Sequence, residues 1–393
     1  MRQYGILAPF VLLIFFTACK DKPDHPDVEE LMFRTDTTKY MDLRPFVSEV
    51  SMIALQNDSS PLRTPGRMAT NEDGYFILGI SAPFPILHFD KQGNLLHYIE
   101  RYGRGPGEYS WLEAITVDPK ANVIDALDIQ QNKIISYTYS GEFIDEWETP
   151  GIMNYDDFMK LDSTHYIIYQ NLTNGYKGKP FHQIKWVHKQ EQLQICNEFL
   201  YTPNPNNYLN IGGSFHFYDY RGKPRIKPIG SNYVYEFSDS LLRPVYHINF
   251  ADNELPEGYY QEKDYNGVIE FSNAIDKTNY INSVRQFAET EKYIFFNYSQ
   301  SGNALHAVYN KKTKNTHTGG ISVLPVNNGK KLIRIPYFPK YIAEGHLYFM
   351  AHPSRLEKYA AGKQHFQELL ALLPSLKLAY QKDYYVLMKC KLK

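Results

Sequence analysis

The chain repeats one pattern about every fifty residues: short apolar strands separated by polar turns. The repeat is clearest where a strand ending in an aromatic or β-branched residue runs into a reverse turn. Phe89, Tyr139, Val187 and Phe237 end such strands at spacings of 48 to 50 residues, and Tyr309 ends a fifth. Four short strands fit this period, which is the size of one β-propeller blade. We therefore predict an all-β fold, a six-bladed β-propeller closed by pairing of an N-terminal with a C-terminal strand.

The anchors also divide the predicted propeller, residues 28–393, into blades. The predicted blades cover about 65–109, 112–149, 158–201 and 214–250, with the fifth resuming near 283 and the sixth running from about 337 to the C-terminus. The interval between the last two anchors exceeds the period, and the excess falls at residues 252–280. We predict an insertion there, partly helical and projecting over one face, because long insertions between repeats often carry binding loops.

One helix is predicted near the end of the chain, over about residues 354–373. Its apolar residues follow helical spacing, Ser354 and Glu357 match a capping box, and Gly362 weakens its middle by about 1 kcal/mol relative to alanine. The apolar stripe is most simply a face that docks on the propeller, and the alternative is a helix that binds a partner.

The first residues predict export. Residues 1–18 combine Arg2 with an apolar run too short to span a bilayer, which is typical of a signal peptide. Small residues directly before Cys19 resemble a bacterial lipobox, although Phe16 stands where leucine is usual. Cys19 is thus the predicted lipid-attachment residue, residues 19–27 a polar tether, and the location the outer membrane, on its periplasmic face or at the cell surface. The alternative is an ordinary secretory signal cut near Ala18.

Composition excludes some partners. Lys plus Arg number 42 and Asp plus Glu 43, so the protein has no excess of positive charge that would attract nucleic acid. The 33 Tyr and 23 Phe residues suit strand packing, and the alternative is a surface that stacks sugars or peptides. Cys196 and Cys390 fall in distant repeats and are predicted to be free and buried. No metal-binding spacing occurs, and no cofactor is predicted.

The densest local motif is Tyr102-Gly103-Arg104-Gly105-Pro106-Gly107-Glu108-Tyr109, between the first two predicted blades. Its glycines and proline predict a rigid, ordered loop, and it lacks the ending of a phosphate-binding P-loop. The loop has two candidate roles, binding a ligand or fixing the crossing between blades, and the structural role is favoured. The residues that would carry either role are Arg101, Arg104, Glu108 and Tyr109.

With this loop, the lipobox and the terminal strands, the chain resembles the six-bladed β-propeller lipoproteins of Bacteroidota, a family mostly of unknown function. The resemblance extends over essentially the whole mature chain. One departure is Gln381-Lys382-Asp383-Tyr384-Tyr385 before the last strand, where the family often has Asp-Asn-Pro. The resemblance implies a propeller anchored to a membrane and supplies no catalytic residues.

Two functions are compatible with these features. The favoured one is a non-catalytic binding or scaffolding module of the cell envelope, with a glycan, a peptide or an envelope protein as partner. The alternative is an envelope polysaccharide hydrolase or lyase with its active site in the central funnel, where two carboxylates would have to converge. The acids available for it are Glu108, Asp118, Asp128, Asp156 and Asp157, whereas His216, His306 and His346 are predicted to be structural.

Overall fold

The computed structural model describes residues 28–35, 38–58, 62–151, 155–171, 180–203, 216–256, 259, 265–343 and 345–393. Their strands form seven sheets arranged as a seven-bladed β-propeller. Three strands precede the first complete blade, β1 (Glu29–Met32), β2 (Tyr40–Asp42) and β3 (Val47–Ala54). Blade one contains β4 (Pro65–Asn71), β5 (Gly74–Gly79), β6 (Ile86–Phe89) and β7 (Leu95–Ile99). Blade two contains β8 (Leu112–Asp118), β9 (Val123–Asp128), β10 (Lys133–Thr138) and β11 (Phe143–Glu148).

The remaining blades follow in chain order. Blade three contains β12 (Asp157–Lys160), β13 (His165–Tyr169), β14 (Phe181–Lys189) and β15 (Leu193–Thr202). Blade four contains β16 (Phe217–Tyr220), β17 (Lys223–Ile226), β18 (Tyr233–Ser238) and β19 (Leu241–Asn249). Blade five contains β20 (Ile281–Glu289), β21 (Tyr293–Gln300), β22 (Asn303–Asn310) and β23 (Thr316–Gly319). Blade six contains β24 (Ile321–Val326) and β25 (Lys331–Ile335), and blade seven contains β26 (Tyr341–Ala343), β27 (His346–Ala351) and β28 (Val386–Leu392).

The prediction of six blades is wrong, because the sequence pattern does not reveal blade six. This blade is a short hairpin completed by β2, which pairs in parallel with β24 from about 280 residues earlier in the chain. Pro325 lies within β24, and proline inside an apolar run argues against a regular strand. No aromatic anchor marks the hairpin, so the anchor spacing places its residues within the predicted fifth blade.

Residues 28–35 and 38–54 form a strap along four consecutive blades. β1 pairs in parallel with β19 of blade four, and β3 pairs with β28 as the fourth strand of blade seven. Between β1 and β2, Phe33 is buried among the rings of Phe250, Phe296 and Tyr309 of blades four and five, with centroids 4.7 to 5.7 Å away. The strap therefore connects blades four to seven and also closes the ring.

Helices lie in the two long connections. The segment before blade five has a short 3₁₀ turn, Ala251–Asn253, and α1 (Val268–Ile275). The segment within blade seven has α2 (Pro353–Tyr359), α3 (Lys363–Leu372) and α4 (Pro374–Lys382) in place of the one helix predicted at about 354–373. Gly362, with a φ of +120°, and Pro374 interrupt the helical pattern, and His352 rather than Ser354 occupies the cap. No helix in the described ranges is long and apolar enough to cross a membrane.

The apolar stripe of the helices at the end of the chain is buried. Leu356, Phe366, Leu369 and Leu376 join the core cluster of blades six and seven. These helices therefore dock on the propeller and cover one side of blade six.

One end of the ring, which we call the loop face, collects the long connections. Strand directions alternate within a blade, so the start of the first strand lies at the same end as the turn between the second and third strands. The α1 segment precedes a first strand and α2 to α4 join a second to a third strand, so both lie on this face. The first strands β4, β8, β12, β16 and β20 contact one another in sequence, and β26 contacts β4, around the centre.

Candidate functional site

A buried ion pair lies at the centre of the loop face. Arg67 of β4 donates to the Asp157 carboxylate of β12 at 2.5 Å, so the pair joins the inner strands on either side of β8. The two residues are only 6% and 3% exposed. Asp157 also accepts the backbone N–H groups of Phe158, at 2.9 Å, and His216, at 2.7 Å. Each oxygen of this carboxylate is therefore occupied, and the group connects blades one, three and four.

Titratable groups with shifted pKa values surround this pair. Burial raises the pKa of Asp156 to about 7, and it also raises the pKa of Glu113, which Arg67 partly offsets. Burial lowers the pKa of His216 and Lys227 to about 4 and about 7. The Asp156 carboxylate accepts bonds from the backbone and side-chain amides of Asn171, at 2.8 and 3.1 Å. Such shifts are common at functional sites and also in structural networks.

A cavity of about 270 Å³ lies beside blade five, where β20, β21 and β22 meet the connection from blade six to blade seven. It is lined by Arg285, Gln286, Asn297, Tyr298, Ser299, Ala304, His306, Pro336, Tyr337, Phe338 and Lys340. Among the residues that the structure describes, its lining combines cations, amides, hydroxyls and aromatic rings without an acidic residue. We call it the blade-five cavity.

The backbone at this cavity is irregular. The pairing of β20 with β21 shifts register on both sides of Arg285, and Gln286 has a φ of +51°. Asn297 on the neighbouring strand donates to the Gln286 side-chain oxygen at 2.5 Å and so holds it in place. A strained non-glycine residue in a bulged strand often marks a functional position, because the local conformation must be held against its cost.

Two cationic side chains, Arg285 and Lys340, line the cavity. Burial lowers the pKa of the third basic group, His306, to about 4 and so keeps that ring neutral. His306 makes a 3.2 Å hydrogen bond with Ser322 and lies edge-on to Phe338 at 5.5 Å. An anionic or strongly polar group would match this lining.

The predicted loop at 101–109 is ordered by its own contacts. The Glu108 carboxylate accepts the Gly105 N–H at 2.7 Å, and buried Tyr109 donates its hydroxyl to the Ile99 carbonyl at 3.0 Å. Arg101 donates to the Gly141 carbonyl of blade two at 3.2 Å, whereas Arg104 is exposed. These contacts fix the crossing between blades one and two, and the loop does not line the blade-five cavity.

The other predicted residues are dispersed. Asp118 pairs with Lys160 at 3.0 Å between blades two and three, and Asp128 accepts backbone N–H groups, including that of Ser110 at 2.6 Å. His346 is half-buried on β27. Asp156, Asp157 and His216 do come together, at the centre of the loop face.

The sequence also gives predictions for the cysteines and for metal binding. Cys196 and Cys390 are free, but the prediction that both are buried is wrong, because Cys196 lies exposed on the outer strand β15. Cys19 and the rest of residues 1–27 lie outside the described residues. In the ranges that are described, no group of three or more His, Cys, Asp or Glu residues could hold a metal ion.

Sequence reasoning missed the blade-five cavity. Arg285, Gln286 and Lys340 belong to no motif, and the two sides of the cavity are some fifty residues apart. One usable signal is the polar run Asn282-Ser283 through Arg285-Gln286 inside an otherwise strand-like segment, because it interrupts the apolar pattern of a packed strand.

Comparison with known proteins supports the fold. The model of a family described as a domain of unknown function, DUF4934, matches residues 27–383. No protein of curated function matches the sequence. A β-propeller family of unknown function was the predicted resemblance and is confirmed, with seven blades in place of six.

Two solved structures share the architecture. A protein described as exported, from Bacteroides fragilis NCTC 9343, is 20% identical with a TM-score of 0.74, over 93% of this chain and 99% of that one. A member of the DUF4221 family from Bacteroides vulgatus ATCC 8482 is 12% identical with a TM-score of 0.50, over 88% and 97% of the respective chains. At these identities the similarity concerns the fold alone.

Proposed function

The chain belongs to the DUF4934 family of domains of unknown function, and from this premise we propose that it is a non-catalytic binding or scaffolding protein of the cell envelope. Its predicted signal peptide and the exported relative from Bacteroides fragilis support a location outside the cytoplasm. The finer proposal is a lipoprotein of the outer membrane, attached through Cys19. Its partner would be a glycan, a peptide or another envelope protein.

The observation that carries this proposal is the blade-five cavity. It opens on the loop face beside the strained Gln286, and its volume of about 270 Å³ is just below the roughly 300–1,000 Å³ usual for small-molecule sites. A group the size of one sugar ring or one amino-acid side chain would fill it. A binding function needs this shape and a few fixed polar groups, and it requires no nucleophile or metal.

Filling the cavity tests the proposal. Ala304 is an exposed residue of β22 that lines the cavity, so Ala304→Trp should occupy the space, and a strand accepts tryptophan well. The mature protein is screened against oligosaccharides and peptides by thermal shift, since a ligand of the native state raises the melting temperature. Ligands of the cavity should lose their shift in Ala304→Trp and keep it in Gln194→Trp, an exposed strand position of blade three. Equal shifts in both variants would place binding elsewhere.

A second candidate function is a polysaccharide hydrolase or lyase. It is favoured by the convergence of Glu113, Asp156 and His216 at the centre of the ring, where an acid with a pKa of about 7 suits proton transfer. Asp157 does not contribute to this chemistry, because Arg67 and backbone amides occupy its oxygens. Release of new reducing ends from envelope polysaccharides, abolished by Asp156→Asn, would favour this function over binding.

A further inference from the structure

Lys340 brings a cation into the blade-five cavity without a counter-charge. In the described part of the chain, no hydrogen bond or ion pair reaches its ammonium group, and no acidic residue lines the cavity. Burial lowers its pKa, which reflects the cost of holding a charge away from water. Removing an ion from water is costly unless an opposite charge and hydrogen bonds compensate. A bound anion would supply that charge.

Arg285 provides a second positive charge in the same cavity. It lies on β20 between the two register shifts, so the bulged strand presents it at the edge of the cavity. A planar guanidinium is suited to two parallel hydrogen bonds with a carboxylate, and an ammonium adds a further donor. The pair favours a small anion with more than one acceptor oxygen.

The rest of the lining indicates what carries the anion. Gln286, Asn297 and Ser299 offer amide and hydroxyl groups that exchange hydrogen bonds with hydroxyls, and Tyr337 and Phe338 contribute aromatic rings to the lining. Polar groups beside aromatic rings suit a sugar ring, which has hydroxyls at its edge and C–H groups on its faces. The small volume admits about one such ring.

We propose that the blade-five cavity binds an acidic sugar of the uronate class, with its carboxylate between Lys340 and Arg285 and its ring against Tyr337 and Phe338. This inference rests on the proposed binding function and specifies its ligand. The carboxylate supplies the counter-charge of Lys340, and the hydroxyls pair with the amides around Gln286.

The test compares an acidic with a neutral oligosaccharide. Trigalacturonate and galactotriose are titrated into the mature protein and into Lys340→Met, which keeps the length of the side chain and removes its charge. Trigalacturonate should bind the unaltered protein and bind Lys340→Met about tenfold or more weakly, as expected for a charge-assisted hydrogen bond. Lys330→Met, in an exposed turn of blade six outside the cavity, should bind it like the unaltered protein.

The outcomes separate the two proposals. Equal affinity for both trisaccharides, or no effect of Lys340→Met, would overturn the acidic-sugar inference, while loss of binding in Ala304→Trp would still uphold a binding cavity. Binding of acidic peptides or inorganic phosphate without binding of trigalacturonate would also overturn it. Failure of every ligand to distinguish Ala304→Trp from the unaltered protein would overturn the proposed binding function itself.

Discussion

At the scale of single residues, Glu108 and Arg104 belong to one loop but differ in what they contact. Glu108 accepts the Gly105 N–H, whereas Arg104 is exposed. Glu108→Ala should destabilise the protein by about 1–2 kcal/mol, because a backbone donor loses its partner. Arg104→Ala should stay within about 0.5 kcal/mol of the unaltered protein. Urea denaturation measures both, and a larger loss for Arg104→Ala would contradict this assignment.

His216 should make stability depend on pH. Burial lowers its pKa to about 4, and it lies near Asp157, Arg67 and Lys227. Between about pH 6.5 and pH 4 the unfolded chain binds a proton that the folded protein does not, so stability falls as the pH falls through this window, by up to about 3 kcal/mol. Above pH 6.5 this contribution is complete.

Comparison with His216→Gln isolates this effect. The difference in unfolding free energy between the unaltered protein and the variant should narrow from pH 7 to pH 4, because the variant has no imidazole to protonate. A difference that is constant with pH would show that His216 titrates normally in the folded state.

At the scale of elements, the sequence pattern predicts the strands better than it predicts the number of blades. Regular four-strand repeats follow from aromatic-ended strands and turns, so the first four blades lie close to their predicted places. The sequence pattern does not predict blade six, because its hairpin is short, contains Pro325 and takes its third strand from residues 40–42. The sequence does not reveal the candidate site either, since β20 and Lys340 are some fifty residues apart and come together only in the folded protein. The loop at 101–109 can be predicted from the sequence because most of its contacts join residues close together in the chain.

Docking of β2 depends on close backbone approach at Gly319. A β-carbon there would lie 2.4 Å from the Met41 nitrogen and 2.5 Å from the Tyr40 carbonyl carbon, neither of which can rotate away. Gly319→Ala should therefore destabilise the protein by about 1–3 kcal/mol. Gly320→Ala is the matched control, because its nearest neighbour, the Ala304 oxygen, is at an ordinary 3.5 Å. Similar melting temperatures for the two variants would show that β2 can shift without cost.

At the scale of the whole molecule, Asp157 connects three blades through one carboxylate. Arg67→Met would leave this charge buried without its partner, which costs about 3–5 kcal/mol in comparable sites. The same substitution at Arg44, whose pair with Asp42 is exposed to solvent, should cost far less stability. Denaturant titration of both variants distinguishes the buried from the exposed pair, and equal losses would argue against a central role for Asp157.

The strap along blades four to seven also determines how the protein responds to mechanical force. The chain before residue 28 reaches the propeller at β1, whose partner β19 belongs to blade four, and only later at the closing strand β3. A pull from the N-terminal side therefore acts first on the β1–β19 pairing and on Phe33, while the hydrogen bonds that close the ring remain unloaded. The strap can detach in part while the loop face keeps its shape.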